Sequence, residues 1–333
     1  IPLGERTAYM LFTENGKAYT QGYKELVNEG ATDYYYFLSN GQAFTTGYKT
    51  VKIDGTTYYY FFNADGKAYT DGLKSVAFGD NKFLYYFQEN GKALTADWGA
   101  VNSDKYYFQA NGRAVKDDFL VLDGNLYYFN TQSALTTGGW IPVDSQKVFC
   151  YADENGVLSK DTVFEGYKLD ADGKCSTKYQ IKEYVAQYTN DSMTNQQKIK
   201  ALYDWVLGND MVYIRNNEHV YSSWVWKDSW VDDMAASQIS QWGGNCYRYA
   251  SFLGMLFREA TGLPVQVYRG QTPGASVPLT PHGWVSVYQD GTWYNYDVEL
   301  DKHSSYATAY CYKVAPSQNV IHYNGVGVKL YSE

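Results

Sequence analysis

Three residues in the C-terminal half of this 333-residue chain have the types and the order that thiol chemistry requires: Cys246, His282 and Asp297. A cysteine attacks a carbonyl carbon as its thiolate, an imidazole takes or returns the proton, and a carboxylate fixes the ring's tautomer and orientation. Cys246 lies in SQWGGNCYRYASFLGMLFREATGLP, where Tyr249, Phe252, Leu253, Leu256, Phe257 and Ala260 recur at helical spacing and Gly262 and Pro264 are stop signals. The spacing predicts a helix that begins near Asn245 or Cys246. A thiol in its first turn meets the positive end of the helix dipole and free backbone N–H groups, which favour the thiolate. The N–H of Cys246 can also help hold an oxyanion, and Gln241 and Trp242, just upstream, are candidate side-chain donors for the same task. The competing reading makes Cys246 a small core residue, three positions before Tyr249 on the apolar face.

The downstream segment PHGWVSVYQDGTWYNYDVEL shifts that balance. It reads as two alternating strands joined by Asp290-Gly291, a two-residue hairpin signal. With that pair at the tip, Gln289 faces Thr292, Trp284 faces Asp297 and His282 faces Glu299, so His282, Asp297 and Glu299 share one side of the ribbon. Asp297 is then the diagonal neighbour of His282, about 7 Å away at Cβ. Glu299 and Asn295 are rival orienters on that face, and a three-residue loop would put Asp297 on the far side. A histidine beside strand carboxylates also serves commonly as a satisfied structural group. His219, His303, His322 and Cys311 read as structural or incidental.

The elements that must position these residues begin at Lys178, where KYQIKEYVAQYTN and TNQQKIKALYDWVLGN place apolar residues at helical spacing and Thr194 with Gln197 signals a capping box. A polar, Trp-rich loop, Ser222 to Ser240, follows. Ahead of Lys178 the chain is dominated by internal similarity: ENGKAYTQGYK, SNGQAFTTGYK, NADGKAYTDGLK and ENGKALTADW, with turn glycines Gly16, Gly41, Gly66 and Gly91. Shorter units at Asn111-Gly112, Thr131-Gln132, Asn155-Gly156 and Asp172-Gly173 make about eight copies of one element. Each reads as a β-hairpin in which an aromatic run such as Tyr58 to Phe62 leads into an Asn-Gly or Asp-Gly turn and a short strand ends at Gly22, Gly47 or Gly72. A lone hairpin cannot bury its apolar face, so neighbours must stack into an elongated solenoid. The expected division is an all-β array over 1–176 and an α+β domain over 177–333.

Composition bounds the partners. With 28 basic against 36 acidic residues and a net charge of -8, the chain offers no cationic surface for nucleic acid or anionic lipid. Its 36 tyrosines pair flat apolar bodies with polar tips and suit half-exposed strands or ligand-stacking surfaces. No apolar run approaches the roughly 18 residues of a membrane span. The opening residues, IPLGERTAYM, lack the regions of a signal peptide; the chain starts partway through a repeat unit and reads as a trimmed or a processed form, which is compatible with a lost signal peptide. Cys150, Cys175, Cys246 and Cys311 form no CxxC pair, so neither a structural metal nor a disulfide scaffold is expected. Cys150 and Cys175 are readable equally as a bridge or as two thiols.

The repeat units resemble the cell-wall-binding repeats of Gram-positive surface proteins, the choline-binding and glucan-binding family, in their Gly-aromatic pair, YYF run, NG turn and small residue. That resemblance implies export, an extracellular, wall-associated location and a wall polymer or polysaccharide as partner, with Tyr23, Tyr48, Trp98 and Trp140 as candidate ligand-stacking rings. Choline-type units usually supply tryptophan to their cation cages. Tyrosine or Leu73 at most equivalent places here turns the expectation towards a glucan, another wall sugar, or a spacer.

The three C-terminal segments together resemble the transglutaminase-like superfamily, a permuted relative of papain-type cysteine proteases. The resemblance rests on Gly244-Asn245-Cys246 with Ala250, then His282-Gly283-Trp284-Val285, then Asp297, and runs from about Gln197 to Val314. Family members often carry proline after the aspartate, where Val298 stands. It implies Cys246 as nucleophile, His282 as general base and acid, Asp297 as orienter, and no metal or organic cofactor. The implied reaction is acyl transfer from a peptide amide or carboxamide of a peptide or protein substrate, to water first and to an amine, as in protein cross-linking, as its variant. The rival from another class is a non-catalytic wall-binding adhesin.

Overall fold

The computed structural model describes residues 2–3, 6–28, 30–215, 226–274, 277–305 and 308–332. The chain forms two compact units, Ile1–Thr137 and Gly138–Glu333. The first is made of two-stranded antiparallel hairpins. After β1 (Pro2–Leu3) and β2 (Arg6–Thr7) come β3 (Gly22–Asn28) with β4 (Ala31–Phe37), β5 (Gly47–Ile53) with β6 (Thr56–Phe62) and β7 (Gly72–Phe78) with β8 (Asn81–Phe87). They are followed by β9 (Asp97–Val101) with β10 (Asp104–Phe108) and β11 (Asp118–Leu122) with β12 (Asn125–Phe129).

The hairpin tips lie elsewhere than the repeat spacing suggests. Asp54 and Gly55 join β5 to β6 with φ of 48° and 82°, the paired positive values that a two-residue turn needs to match strand twist. The Asp65-Gly66 motif instead lies beyond β6, in the link to the next hairpin, where a single bridge joins Phe62 to Ala68. In that link Asn63 Oδ1 accepts the N–H groups of Asp65 and Lys67. Asn130, Asp153 and Asp170 repeat the device. Gly22, Gly47 and Gly72 therefore start strands rather than end them.

Links also tie neighbours together, for the Ala68 N–H donates to the Tyr34 carbonyl and the Ala93 N–H to that of Tyr59, each one hairpin back. Tyr60 and Phe62, fully buried, pack with Tyr23 and Phe44 of the preceding unit. Each such ring contributes roughly 1.5–3 kcal/mol when buried, so a hairpin depends on its neighbour for stability, as the repeat pattern implies.

The second unit opens with two further hairpins, β13 (Gly139–Val143) with β14 (Val148–Ala152) and β15 (Thr162–Phe164) with β16 (Tyr167–Leu169). Tyr167, Leu169 and Cys175 share one core with the helices that follow. Packing thus groups the last hairpins with the C-terminal unit, although their sequence is that of the repeats. The helices are α1 (Ser176–Tyr188), α2 (Asn195–Gly208), α3 (Trp230–Gln241) and α4 (Cys246–Thr261), with short strands β17 (Val212–Tyr213) and β18 (Gly243–Gly244) between them. A four-stranded antiparallel sheet then forms from β19 (Val265–Thr272), β20 (Thr280–Gln289), β21 (Thr292–Tyr296) and β22 (Tyr323–Lys329), in the order β21-β20-β19-β22. A one-and-a-half-turn helix, α5 (Val298–His303), follows β21.

The expected capping box closes α2: Thr194 Oγ1 accepts the Gln197 N–H while Gln197 Oε1 accepts the Thr194 N–H. The helix α3 corrects the expectation of a loop through Ser240. Its Trp230, Val231, Met234, Ala235 and Gln238 are buried at helical spacing, while Ser222 lies outside the described residues. Phe252, Leu253, Leu256 and Phe257 of α4 share the core with Val265 and Val267 of β19 and Val285 and Val287 of β20.

Where α1 meets the last hairpins, Lys178 Nζ lies 4.5, 5.0 and 5.4 Å from the ring centres of Tyr167, Trp140 and Phe149. It is also 2.7 Å from Glu259 Oε2 on α4, with the two side chains 10% and 20% exposed. One ammonium therefore joins hairpins, α1 and α4 through three ring faces and a carboxylate. Replacing it, Lys178→Met, leaves Glu259 partly buried without its partner and lowers the stability of the second unit by about 2–4 kcal/mol. Helices α1 to α5 all lie in that unit, so loss of helical circular dichroism in urea reads it directly. The midpoint falls at unchanged slope; an unshifted midpoint would contradict the role given to this contact.

Candidate active site

Cys246 is the first residue of α4, and Asn245 caps that helix, its Oδ1 accepting the N–H groups of Tyr247 and Arg248. The Cys246 N–H is a first-turn donor with no partner inside the helix. At the other end α4 stops at Gly262, with φ 67°, where the sequence places its stop signal. Cys246 is buried, and it lies close enough to the ring of His282 on β20 to raise that ring's pKa. Gly283 permits that approach, since a Cβ there would sit 2.8 Å from the Tyr247 ring and 3.1 Å from Tyr247 Cα. The strand that carries the imidazole runs directly against the first turn that carries the sulfur.

The Asp290-Gly291 turn, with φ of 50° and 81°, sets the expected register: Gln289 faces Thr292, and the ladder continues to Val285 opposite Tyr296. There it stops. Asp297 leaves the sheet and caps α5, its Oδ1 accepting the Leu300 N–H at 3.1 Å. The expected Trp284–Asp297 and His282–Glu299 strand pairs therefore do not form. The reason lies in DVELDKH, where an aspartate cap, Glu299 and Asp301 in the first turn and Lys302 and His303 in the last favour a helix over more strand.

The bend nonetheless delivers the carboxylate, with Asp297 Oδ2 2.6 Å from His282 Nε2. Glu299 Oε2 stands 3.9 Å from His282 Nδ1, beyond hydrogen-bond range. The Asn295 side chain is turned to Ser286. Of the three orienters the sequence offered, Asp297 is the one that touches the ring. With Nε2 taken, Nδ1 is the nitrogen left for the Cys246 sulfur.

The charges in this site sustain one another. Burial works to raise the pKa of Asp297, but His282 and His322 outweigh it and hold the carboxyl far below the ordinary range. Burial works to lower that of His282, but Asp297 and Cys246 outweigh it and the ring's pKa ends well above the usual histidine value. Glu299 is pushed up by burial to about 7, with His282 pulling it partly back. An ionised carboxylate thus faces one nitrogen of an imidazole that retains its proton readily.

His322, read from sequence as incidental, belongs to the site: its Nε2 lies 2.9 Å from Asp297 Oδ2 and its side chain is 0% exposed. No periodicity or motif marks it. Ligand atoms of His282, Asp297 and His322 lie within 4.8 Å of one another, a spacing that could hold a metal ion. Zinc would draw each to about 2.0–2.2 Å from a shared centre, whereas both rings here address one carboxylate oxygen directly at hydrogen-bond length.

Trp242 caps the C-terminus of α3 at φ 49°, and its indole N–H donates to Asp210. Gln241 Oε1 accepts from Arg248. The Trp242 indole expected as an oxyanion donor is thus committed to Asp210, while the Gln241 contact uses its oxygen and leaves its amide N–H groups, like the Cys246 N–H, able to donate. Cys150, Cys175 and Cys311 are separate buried thiols; burial pushes Cys150 up to about 12 and raises the other two as well. His303 Nε2 lies 3.3 Å from the Tyr249 hydroxyl, and His219 falls outside the described residues.

In the first unit, Tyr23 lies 5.3 Å from Tyr60, Tyr48 5.2 Å from Tyr85 and Trp98 5.3 Å from Tyr127, each ring reaching the next hairpin. Trp98 is 38% exposed. Trp140, in the second unit, is packed by Tyr151, Phe164 and Tyr167, with its N–H on Glu165 and Lys178 over its face.

Residues 96–134 match the choline-binding repeat family, and residues 182–298, which include Cys246, His282 and Asp297, match the transglutaminase-like superfamily. Among solved structures the chain is similar to choline binding protein F from Streptococcus pneumoniae in the presence of a peptidoglycan analogue, a tetrasaccharide-pentapeptide, at 24% identity over 48% of this chain and 47% of that one, TM-score 0.36. It is similar also to CbpF in complex with ipratropium (21% identity, 53% and 58% covered, TM-score 0.38). The choline-binding domain of CbpL from Streptococcus pneumoniae is another (20% identity, 52% and 84% covered, TM-score 0.36). The chain spans about half the length of the first two, at 47% and 58%. No curated protein matches it. The chain accordingly consists of N-terminal hairpin repeats like those of choline-binding proteins, followed by an α+β transglutaminase-like domain.

Proposed function

We propose that this chain is a wall-attached thiol enzyme that forms a thioester on Cys246 from a peptide amide or a side-chain carboxamide. The observation that carries the proposal is the buried His282 ring, held by Asp297 Oδ2 at 2.6 Å, with Cys246 near enough to help raise its pKa. In the proposed reaction the sulfur attacks the carbonyl carbon and His282 passes the thiol proton to the departing amine. The C–N bond breaks and the acyl group stays on sulfur. Water then attacks the thioester, gives a proton to His282, and the S–C bond breaks to restore the thiol. A primary amine in place of water would yield a cross-link. Asp297 keeps the ring oriented throughout, and charge developing on the oxygen falls near the positive end of α4 and the Cys246 N–H.

The choline-binding-type repeats support attachment to a cell-wall polymer or polysaccharide outside the cell, where a peptide or protein substrate would be met. Tyr23, Tyr48 and the exposed Trp98 offer ring faces of the kind that stack on sugars.

Iodoacetamide at neutral pH separates this reading from that of a non-catalytic adhesin. Cys246 should label at least tenfold faster than Cys150, Cys175 and Cys311, and His282→Ala should abolish the preference, both read by peptide mass spectrometry. Equal, sluggish labelling of all four thiols would favour the adhesin. The repeats are tested separately by sedimentation with purified walls and with insoluble glucan. The chain should be retained by at least one of them, and more weakly after Trp98→Ala; retention by neither would reduce the array to a spacer.

A further inference from the structure

Between Pro316–Gln318, a single 3-10 turn, and β22, the chain places His322 against the carboxylate that orients His282. Its ring is held at both nitrogens. Nε2 lies 2.9 Å from Asp297 Oδ2, and Nδ1 lies 3.1 Å from Asn319 Oδ1. Which atom of the Asn319 amide faces the ring is settled by the backbone: Asn319 Nδ2 donates to the His322 carbonyl at 3.0 Å, and Asn319 Oδ1 accepts the His322 N–H at 3.1 Å. The oxygen therefore points at Nδ1, and both ring nitrogens meet acceptors. A neutral imidazole can donate from one nitrogen only. The Trp284 ring lies over this imidazole, 4.8 Å away between centres.

We propose that His322 is a positioning residue for the thiol chemistry at Cys246, protonated at both nitrogens, which shares the charge of Asp297 with His282 and so limits how tightly Asp297 holds the His282 proton. The inference rests on the acyl-transfer reading above. Asp297 with His322 forms a closed pair, which leaves the proton between His282 and Cys246 as the one that moves. Without the second cation, Asp297 would keep the proton on His282 and make it a poorer donor to a departing amine. The other groups that bear on the His282 ring are Cys246 from α4 and Glu299 from α5, while the Tyr213 hydroxyl on β17 feels both of these.

The test is the pH dependence of Cys246 carboxamidomethylation by iodoacetamide in the full chain, in the parent and in His322→Phe, His322→Gln and Asn319→Ala. A cation some 6 Å from His282 is worth about one pH unit or more in a partly buried setting. In both His322 variants, the step of the profile that reports His282 should move to higher pH by about that amount, with a smaller move for Asn319→Ala. A group with a merely structural role would change thermal stability and leave that step in place. His322→Gln keeps a donor and a similar length, so it carries the test should the phenylalanine variant not fold. Profiles that superpose on the parent in folded variants overturn the role of His322 alone. Loss of preferential Cys246 labelling in the parent itself would instead sink the acyl-transfer reading.

Discussion

All the chemistry proposed for this molecule requires one proton to be shared between the sulfur of Cys246 and the ring of His282, whose pKa Cys246 helps to raise. Sharing requires a helix start and a strand to approach more closely than side chains ordinarily allow, and Gly283 is where that allowance is made. A methyl group at that position would meet both the ring and the backbone of Tyr247. The approach is held by apolar packing rather than by the polar contact itself. The buried face of α4 shares one core with β19 and β20, and each large side chain there contributes roughly 1.5–3 kcal/mol against about 1 kcal/mol for a typical hydrogen bond.

The same core sets the electrostatics. Four ionisable residues, His282, Asp297, Glu299 and His322, are each less than 10% exposed as whole residues, at 3%, 2%, 7% and 6%, and such groups persist only when paired. Asp297 is the hub of that pairing, accepting the Leu300 N–H on one oxygen and two imidazoles on the other. Its cap on α5 and its contact with His282 are two uses of one carboxylate, so the helix start and the site are ordered together. The repeat array works by another rule. Each hairpin rests on its neighbours through a few rings, and the last hairpins enter the larger core, where Lys178 fastens them.

Much of the site can be read from the residues, because local rules govern most of it. The Gly-x-Cys segment with its apolar face marks the start of α4, and Asp290-Gly291 sets a register that the strands follow as far as Val285 and Tyr296. Beyond that point the pattern misleads, since strand alternation was extended through Asp297 although the cap and charge signals of a helix were present in DVELDKH. The hairpin tips were misplaced for a similar reason: the tips vary in sequence, as in Asp54-Gly55 and Gly79-Asp80, and the regular Asx-Gly turn belongs to the link. The Trp-rich stretch before Cys246 hid α3 because its apolar spacing is short and broken by aspartates. His322 could not be found this way at all, for it reaches Asp297 across 25 residues of chain and no local rule reports such a return. Trp242 shows the converse, a residue of suitable chemistry and position whose N–H is committed to Asp210.

The most direct measurement of the central claim is an NMR titration of the His282 ring, assigned by isotope labelling, in the full chain and in Cys246→Ala. If sulfur and imidazole share a proton, removing the thiol takes away negative charge beside the ring, and the His282 midpoint moves to lower pH while that of His303 changes little. An unchanged His282 titration would mean that the two groups do not sense each other, and the account of a thiol activated by this imidazole would be wrong.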